Sequence, residues 1–292
     1  MDDYEFALCL THDVDRPYKT YQGPFYAVTE FDLSHLRSLF TDESPYWQFE
    51  SIMELEDDLG VRSSFYFLNE KRLFRDKPPW EWVKPESWKL YTGRYDVTDD
   101  EIASVVRTLD RGGWEVGLHG SYDSVGDVDR LRHEKRTLER IVGDDVVGGR
   151  QHYLNLDGRE TWRHHRAIGL RYDASLGSSQ EYGFQHGYGV RYPFDDEFAV
   201  FPLTIMETAL MESTPSVDAA WRECRRLLTE ARENGAVMTV LWHPRYMNEA
   251  EFSGYRTIYE RLVREALSMD AWVGPVAACY DRLESDRQQV RT

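Results

Sequence analysis

Short apolar runs of strand character alternate with longer stretches of helical spacing along almost the whole chain. The first run covers residues 6–10 and the second 63–68. Between them, 46–59 has helical spacing and stops at Gly60, a residue that ends helices because it tolerates a left-handed backbone. The rhythm then breaks over about 69–100. There Pro78, Pro79 and Pro85 and a heavy load of Trp80, Trp82, Trp88, Tyr91 and Tyr95 show no period, as expected of a functional loop inserted between regular elements. Thr98 with Glu101 three residues on has the pattern of a capping box and opens a helix to residue 111, before Gly112 and Gly113. A strand at 114–118 follows, then a helix over 129–142 that buries Leu131, Leu138, Ile141 and Val142 and stops at Gly143. Further pairs are a strand at 146–147 with a helix at 160–168, and a strand at 170–172. The run 198–205 contains Pro202, which marks an edge or an interruption. A helix over 217–234, a strand at 236–241, a helix over 255–269 and a short strand at 272–273 complete the series, with a charged tail beyond.

About seven strands alternating with helices predict parallel pairing and an α/β architecture. Asp13, Asp15, His119, Arg150, Asp173 and His243 all lie at the C-terminal ends of predicted strands. An open doubly wound sheet would gather such residues at one crevice, whereas a barrel gathers them from every strand on one face. Contributors spread over at least five strands favour the barrel. Neither an internal repeat nor a linker divides the sequence, so residues 1–292 are expected to form one catalytic domain with the aromatic insertion at about 69–100.

Composition narrows the class. With 292 residues, 41% of them hydrophobic, the chain can bury a full core. Cys9, Cys224 and Cys279 are widely spaced and odd in number, which suggests neither a disulfide framework nor a cysteine metal knot. The acidic first residues and the lack of any run near ~18 apolar residues lead us to expect a cytoplasmic protein without membrane insertion. The net charge of −17 disfavours nucleic acid as a partner. Its basic side comprises 29 Arg and only 6 Lys, a balance seen in proteins adapted to high salt, and we expect halophilic behaviour.

Asp and His converging on one face are the donors that suit zinc, iron, manganese, cobalt or nickel. Asp15 and His119 are the leading ligands. A carboxylate two residues from a ligand is placed to act as a base on water, which assigns Asp13, and His243 on another strand can protonate a leaving amine.

The ordered set resembles the polysaccharide deacetylase family, metal-dependent carbohydrate esterases with a nodulation-deacetylase-like domain. Thr11-His12-Asp13-Val14-Asp15 resembles the first family motif in its spaced Asp-x-Asp form, which implies Asp13 as general base and Asp15 as metal ligand. His119-Gly120-Ser121-Tyr122-Asp123 resembles the second, His-Ser/Thr-x-x-His. Arg150-Gln151-His152-Tyr153 resembles the third, Arg-x-Pro-Tyr/Phe, whose Arg orients the base and whose aromatic residue offers a backbone N–H to an oxyanion. Asp173 matches the fourth. Leu241-Trp242-His243 matches the fifth, with Leu241 lining the acetyl pocket, His243 as general acid and Asp173 tuning it. The resemblance spans roughly residues 6–245 and implies a distorted (β/α)7 barrel of mostly parallel strands holding one divalent metal ion, zinc first among the candidates.

Three departures bear on the site. Asp123 stands where the second metal histidine belongs, His152 replaces a proline, and Val14 occupies the usual position of the metal Asp. The third ligand is therefore Asp123 or His152, unless the site is degraded. The function implied is removal of an N-acetyl group from a sugar or glycan precursor. A metal-dependent glycosidase and a non-catalytic carbohydrate-binding member of the same fold are the alternatives. Trp80, Trp82 and Trp88 fit sugar stacking, and Arg16, Lys19, Arg94 and Arg191 are candidates to meet an anionic substrate such as a nucleotide sugar.

Overall fold

A computed structural model describes residues 4–19, 44–194 and 197–291. Nine strands form one sheet: β1 (Phe6–Val14), β2 (Ser64–Leu68), β3 (Glu115–Gly120), β4 (Gly148–Gln151), β5 (Tyr172–Asp173), β6 (Ala199–Val200), β7 (Leu203–Met206), β8 (Val237–Leu241) and β9 (Ala271–Gly274). Their order is β6-β5-β4-β3-β2-β1-β8-β7, with β9 paired to β1, and every ladder is parallel. The helices are α1 (Phe49–Leu59), α2 (Leu73–Asp76), α3 (Pro85–Tyr91), α4 (Asp100–Arg111), α5 (Val128–Val142), α6 (Gly158–Ala167), α7 (Glu207–Ser213), α8 (Val217–Glu233), α9 (Tyr255–Ser268) and α10 (Val276–Arg291). The result is a distorted β/α barrel. Its two end strands, β6 and β7, are consecutive in sequence, so the ring meets across Phe201 and Pro202, where proline has no N–H for a ladder.

β1 is the axis. Its first half pairs with β8 on one side and β9 on the other, and its second half pairs with β2, Thr11 standing opposite Ser64 and Asp13 opposite Tyr66. That second pairing carries the strand to Val14, beyond the end expected at residue 10, so Asp13 stands on a strand and Asp15 is the first residue past it. Strand period two then divides the work. Phe6, Leu8, Leu10 and Val14 belong to the large core, whereas Ala7 and Cys9 pack with Tyr66, Tyr172, Phe201 and α10 residues Val276, Cys279 and Tyr280 in a second one. The charged tail expected beyond β9 is therefore α10, whose first turns help fill the barrel. Gly117 and Gly148 make room there: a Cβ on either would stand 2.4 Å or less from the ring of Tyr66 or Tyr172.

Three local expectations change. The capping box at Thr98 is absent, because Asp96 accepts the Thr98 N–H and hydroxyl and the cap falls one residue later, at Asp99. The insertion is not structureless, since it contains α2 and α3, and the run 198–205 is two strands split at Pro202. α7 follows β7 where no helix was expected.

His12 points outward between β1 and the helices, fully buried. Its Nδ1 lies 2.5 Å from the Trp242 carbonyl and its Nε2 lies 3.1 Å from Glu56. Glu56 also accepts from Tyr259 (2.5 Å), Trp114 (2.6 Å) and Ser63 (2.9 Å). Three donors besides the imidazole make Glu56 the acceptor at the centre of a buried polar network. Glu56→Ala would leave three buried donors unsatisfied, each at about 1–3 kcal/mol, and is expected to cost about 3 kcal/mol of stability or more. A urea titration reads this, and a change below about 1 kcal/mol, the worth of one ordinary hydrogen bond, would mean that the network does not hold α1 and α9 to β1.

Candidate active site

The strand ends at the top of the barrel converge on Asp13 and Asp15. Arg150, at the end of β4 and fully buried, donates from Nη1 to Asp13 Oδ1 (2.8 Å) and to Thr11 Oγ1 (2.9 Å), and from Nε to the Ala174 carbonyl (2.8 Å). Its guanidinium lies over the Tyr66 ring at 5.1 Å, so the floor built by the two barrel tyrosines also supports the cation. Asp13 raises the Arg150 pKa against the opposing effect of burial, and the ion pair fixes which oxygen of Asp13 stays open to other partners.

Asp15, His119 and His152 bring one ligand atom each within 4.8 Å of one another. His119 Nδ1 faces the Arg150 carbonyl at 2.9 Å, which fixes the proton there and turns Nε2 toward Asp15 Oδ1 (3.0 Å) and Asp13 Oδ2 (3.7 Å). His152 Nε2 lies 3.8 Å from Asp15 Oδ2, and its Nδ1 lies 3.4 Å from Glu70. Glu70 is held in turn by the N–H groups of Tyr122 (2.7 Å) and Lys71 (3.0 Å). Burial opposes the charge on Asp15, but His152, His119 and His243 around it hold its carboxyl well below the usual range. Burial, with Arg94 beside it, pushes His152 down to about 4, so at neutral pH it keeps a lone pair on Nε2. One carboxylate and two imidazoles, each imidazole with a partner on its other nitrogen, form a donor set that fits a divalent metal ion.

His243 follows β8 and turns Nε2 toward Asp15 Oδ2 at 3.7 Å. Its Nδ1 is held by Glu207 Oε1 at 2.6 Å, at the start of α7. Asp173 does not tune His243. It accepts from Ser175 Oγ (2.6 Å) and Trp162 (3.1 Å) and lies 3.1 Å from His165 Nδ1, so its charge is used between β5 and α6. Burial works against His243 protonation, but Glu207 raises its pKa above the ordinary value. Glu207→Gln keeps the shape and removes that charge, so the His243 pKa should fall. If His243 acts as an acid, the alkaline limb of the pH–rate profile then moves to lower pH, and an unmoved limb would show that Glu207 does not set it.

Asp123 lies outside this group. Lys77 donates to it at 2.7 Å and Tyr91 at 2.9 Å, with Lys71 at 3.5 Å, so it ties the insertion to the loop after β3. Of the two residues considered for the third ligand position, the geometry brings His152 to the cluster. Tyr153 and Leu154 have positive φ, 58° and 52°, a strained turn for residues with side chains, directly after His152. Leu241 is buried with Leu203, Met206 and Ala209, and Leu154 packs against them, an apolar wall next to His243. Trp82 and Trp88 meet the ring of Phe74 edge-on, whereas Trp80, 67% exposed, stands apart from that trio. Lys19 pairs with Glu251, and Arg191 is used on the His186 carbonyl, away from the cluster.

Glu70 and Glu207 were absent from the sequence reading, although both follow strand ends, at β2 and β7. The signal was available: the rule that gathered Asp15 and His119 also selects them. It is obscured because Glu70 opens the irregular insertion and Glu207 follows a run that Pro202 marks as an edge or an interruption.

No family model matches the sequence, and no curated protein matches it. Solved structures do match in shape. A Mycobacterium smegmatis protein assigned as a polysaccharide deacetylase superposes with a TM-score of 0.65 at 16% identity, over 98% of this chain and 92% of that one. A second protein so assigned, from Pseudomonas aeruginosa PAO1, gives 0.61 at 13% identity, over 96% and 91%. The PuuE allantoinase gives 0.58 at 11% identity, over 92% and 87%. At these identities the likeness is one of fold, and the chain has the fold of the polysaccharide deacetylases.

Proposed function

We propose that the protein is a metal-dependent hydrolase that removes an N-acetyl group from a sugar or glycan precursor. The observation that carries this reading is the Asp15, His119 and His152 cluster standing beside Asp13, a carboxylate oriented by Arg150. These three residues would hold the ion, zinc by preference with iron, manganese, cobalt or nickel as alternatives. When bound it supplies Lewis acidity and makes water easier to deprotonate.

The chain's own groups supply the rest. Asp13 accepts the proton from the attacking water, and Arg150 keeps its carboxylate turned to do so. The Tyr153 N–H, positioned by the strained turn, meets the developing oxyanion. His243 donates from Nε2 to the departing amine while Glu207 keeps its Nδ1 proton in place. Leu241 and its neighbours form a wall for the acyl methyl. Trp80, Trp82 and Trp88 offer ring faces to a sugar. A precursor met in the cytoplasm is the substrate this reading expects, and the acidic surface leads us to expect that the fold needs salt. Among the described residues no helix is long and apolar enough to cross a membrane.

Elemental analysis of the purified protein, followed by assay of acetate release from N-acetylated mono- and oligosaccharides, tests the reading. Stoichiometric metal with acetate release is expected. Sugar release without acetate would identify a glycosidase instead, and neither metal nor turnover would identify a carbohydrate-binding member of the fold.

A further inference from the structure

Two side chains of α5, one turn apart, brace the loops after β2 and β3. Glu134 is buried and accepts from the Ser121 N–H (3.0 Å) and the Ser121 hydroxyl (2.6 Å), two residues beyond His119. Arg130 pairs with Glu134 through Nε (2.8 Å) and donates from Nη2 to the Asn69 carbonyl (3.0 Å), next to Glu70. Its Nε also lies 3.0 Å from Ser121 Oγ. Glu70 closes a ring, because it accepts the Tyr122 N–H from the loop after β3 while it faces His152 Nδ1. The ends of β2 and β3 are thus joined twice, once by Glu70 and once by the Arg130–Glu134 pair, and each join bears on one histidine of the cluster. The loop after β3 needs such an anchor. It brings one donor to the cluster, His119, while Asp123 is engaged with Lys77 and Tyr91, so an ion would hold this loop at one point only. Metal-to-donor distances tolerate only about ±0.2 Å, and a hinge at one point does not secure that.

We propose that Arg130 and Glu134 are positioning residues of the metal centre: they clasp the two loops so that His119, and His152 through Glu70, hold their nitrogens at the separation a divalent ion requires. A buried ion pair gains little over apolar packing as a source of stability, and a fixed geometry is what it can add. The inference rests on the metal-dependent reading only in that Asp15, His119 and His152 hold an ion.

Arg130→Met keeps the stem of the side chain and removes its bonds to Asn69, Ser121 and Glu134. Arg130→Lys keeps a charge for Glu134 but has no second arm for Asn69. Arg132→Met, on the same helix and paired with exposed Asp129, is the control. Zinc affinity is measured by competition with a chromophoric chelator, and ligand geometry by the visible spectrum of the cobalt-loaded protein. Arg130→Met should weaken zinc binding about tenfold, the lower end of what losing an outer partner of a ligand costs, and should alter the cobalt spectrum. Arg130→Lys should fall between it and the wild type, and Arg132→Met should match the wild type. Unchanged affinity and spectrum in Arg130→Met overturn the proposal and leave the hydrolase reading standing. So does weaker binding with an unchanged spectrum and a lowered melting temperature, the mark of a purely structural role. Should Arg130→Met fail to fold, wild-type affinity in Arg130→Lys overturns the proposal by itself. Zinc binding that depends on Arg130, without acetate release from any N-acetylated sugar, supports the clasp and overturns the deacetylase reading. A wild-type protein that takes up neither zinc nor cobalt overturns both.

Discussion

Asp13→Asn should lower kcat by about a thousandfold, the scale of losing a general base, while the protein keeps its fold and its metal. Asparagine preserves the oxygen that accepts from Arg150 Nη1 and the shape of a side chain that is almost fully buried. It removes only the capacity to take a proton. Thr11 and the Ala174 carbonyl continue to hold the guanidinium, so the site is expected to remain assembled at some cost in stability. Acetate release measured beside metal content decides the matter. Unchanged turnover would remove Asp13 from the chemistry, and loss of metal would make it a ligand.

His152→Ala and Asp123→Ala should separate cleanly. His152 offers its Nε2 to the cluster with Asp15 and His119, and its removal leaves two donors on one side of the site. Metal affinity should fall by well over a hundredfold, since losing even an outer partner of a ligand costs about 10–100-fold. Asp123 is engaged with Lys77 and Tyr91, and its alanine variant should retain the metal. Titration with zinc under competition from a chromophoric chelator measures both. The opposite pattern would restore Asp123 as the ligand and require the insertion to rearrange.

The barrel was readable because its strands are separated by helices that end at glycines, and Gly60 and Gly143 do adopt the left-handed backbone expected of them. The position of Asp13, Asp15, His119, Arg150 and His243 at strand ends was readable for the same reason, since period and parallel pairing together decide which end of a strand faces the site. What the sequence concealed was pairing between distant elements. Nothing local distinguishes Glu207 from Asp173 as the partner of His243, and only the packing of α7 under the end of β8 makes the choice. His12 is similar: its neighbours on β1 do not reveal its partners, and its role depends on Glu56 and Tyr259, which lie 44 and 247 residues away. The third ligand belongs to this class too, because Asp123 has the better motif position and His152 the better location.

Arg150 has two tasks that use different atoms. Its carbonyl sets the proton of His119, and its guanidinium aims Asp13. In the proposed mechanism a metal ligand and a proton acceptor therefore share one backbone hinge, and neither can be repositioned without the other. Substitutions at Asp13, His119 and Arg150 should then be strongly non-additive, each removing most of what the others have left to lose. Evolution would find it easier to exchange the apolar wall around Leu241, which answers to no such common anchor, than to alter this trio one member at a time.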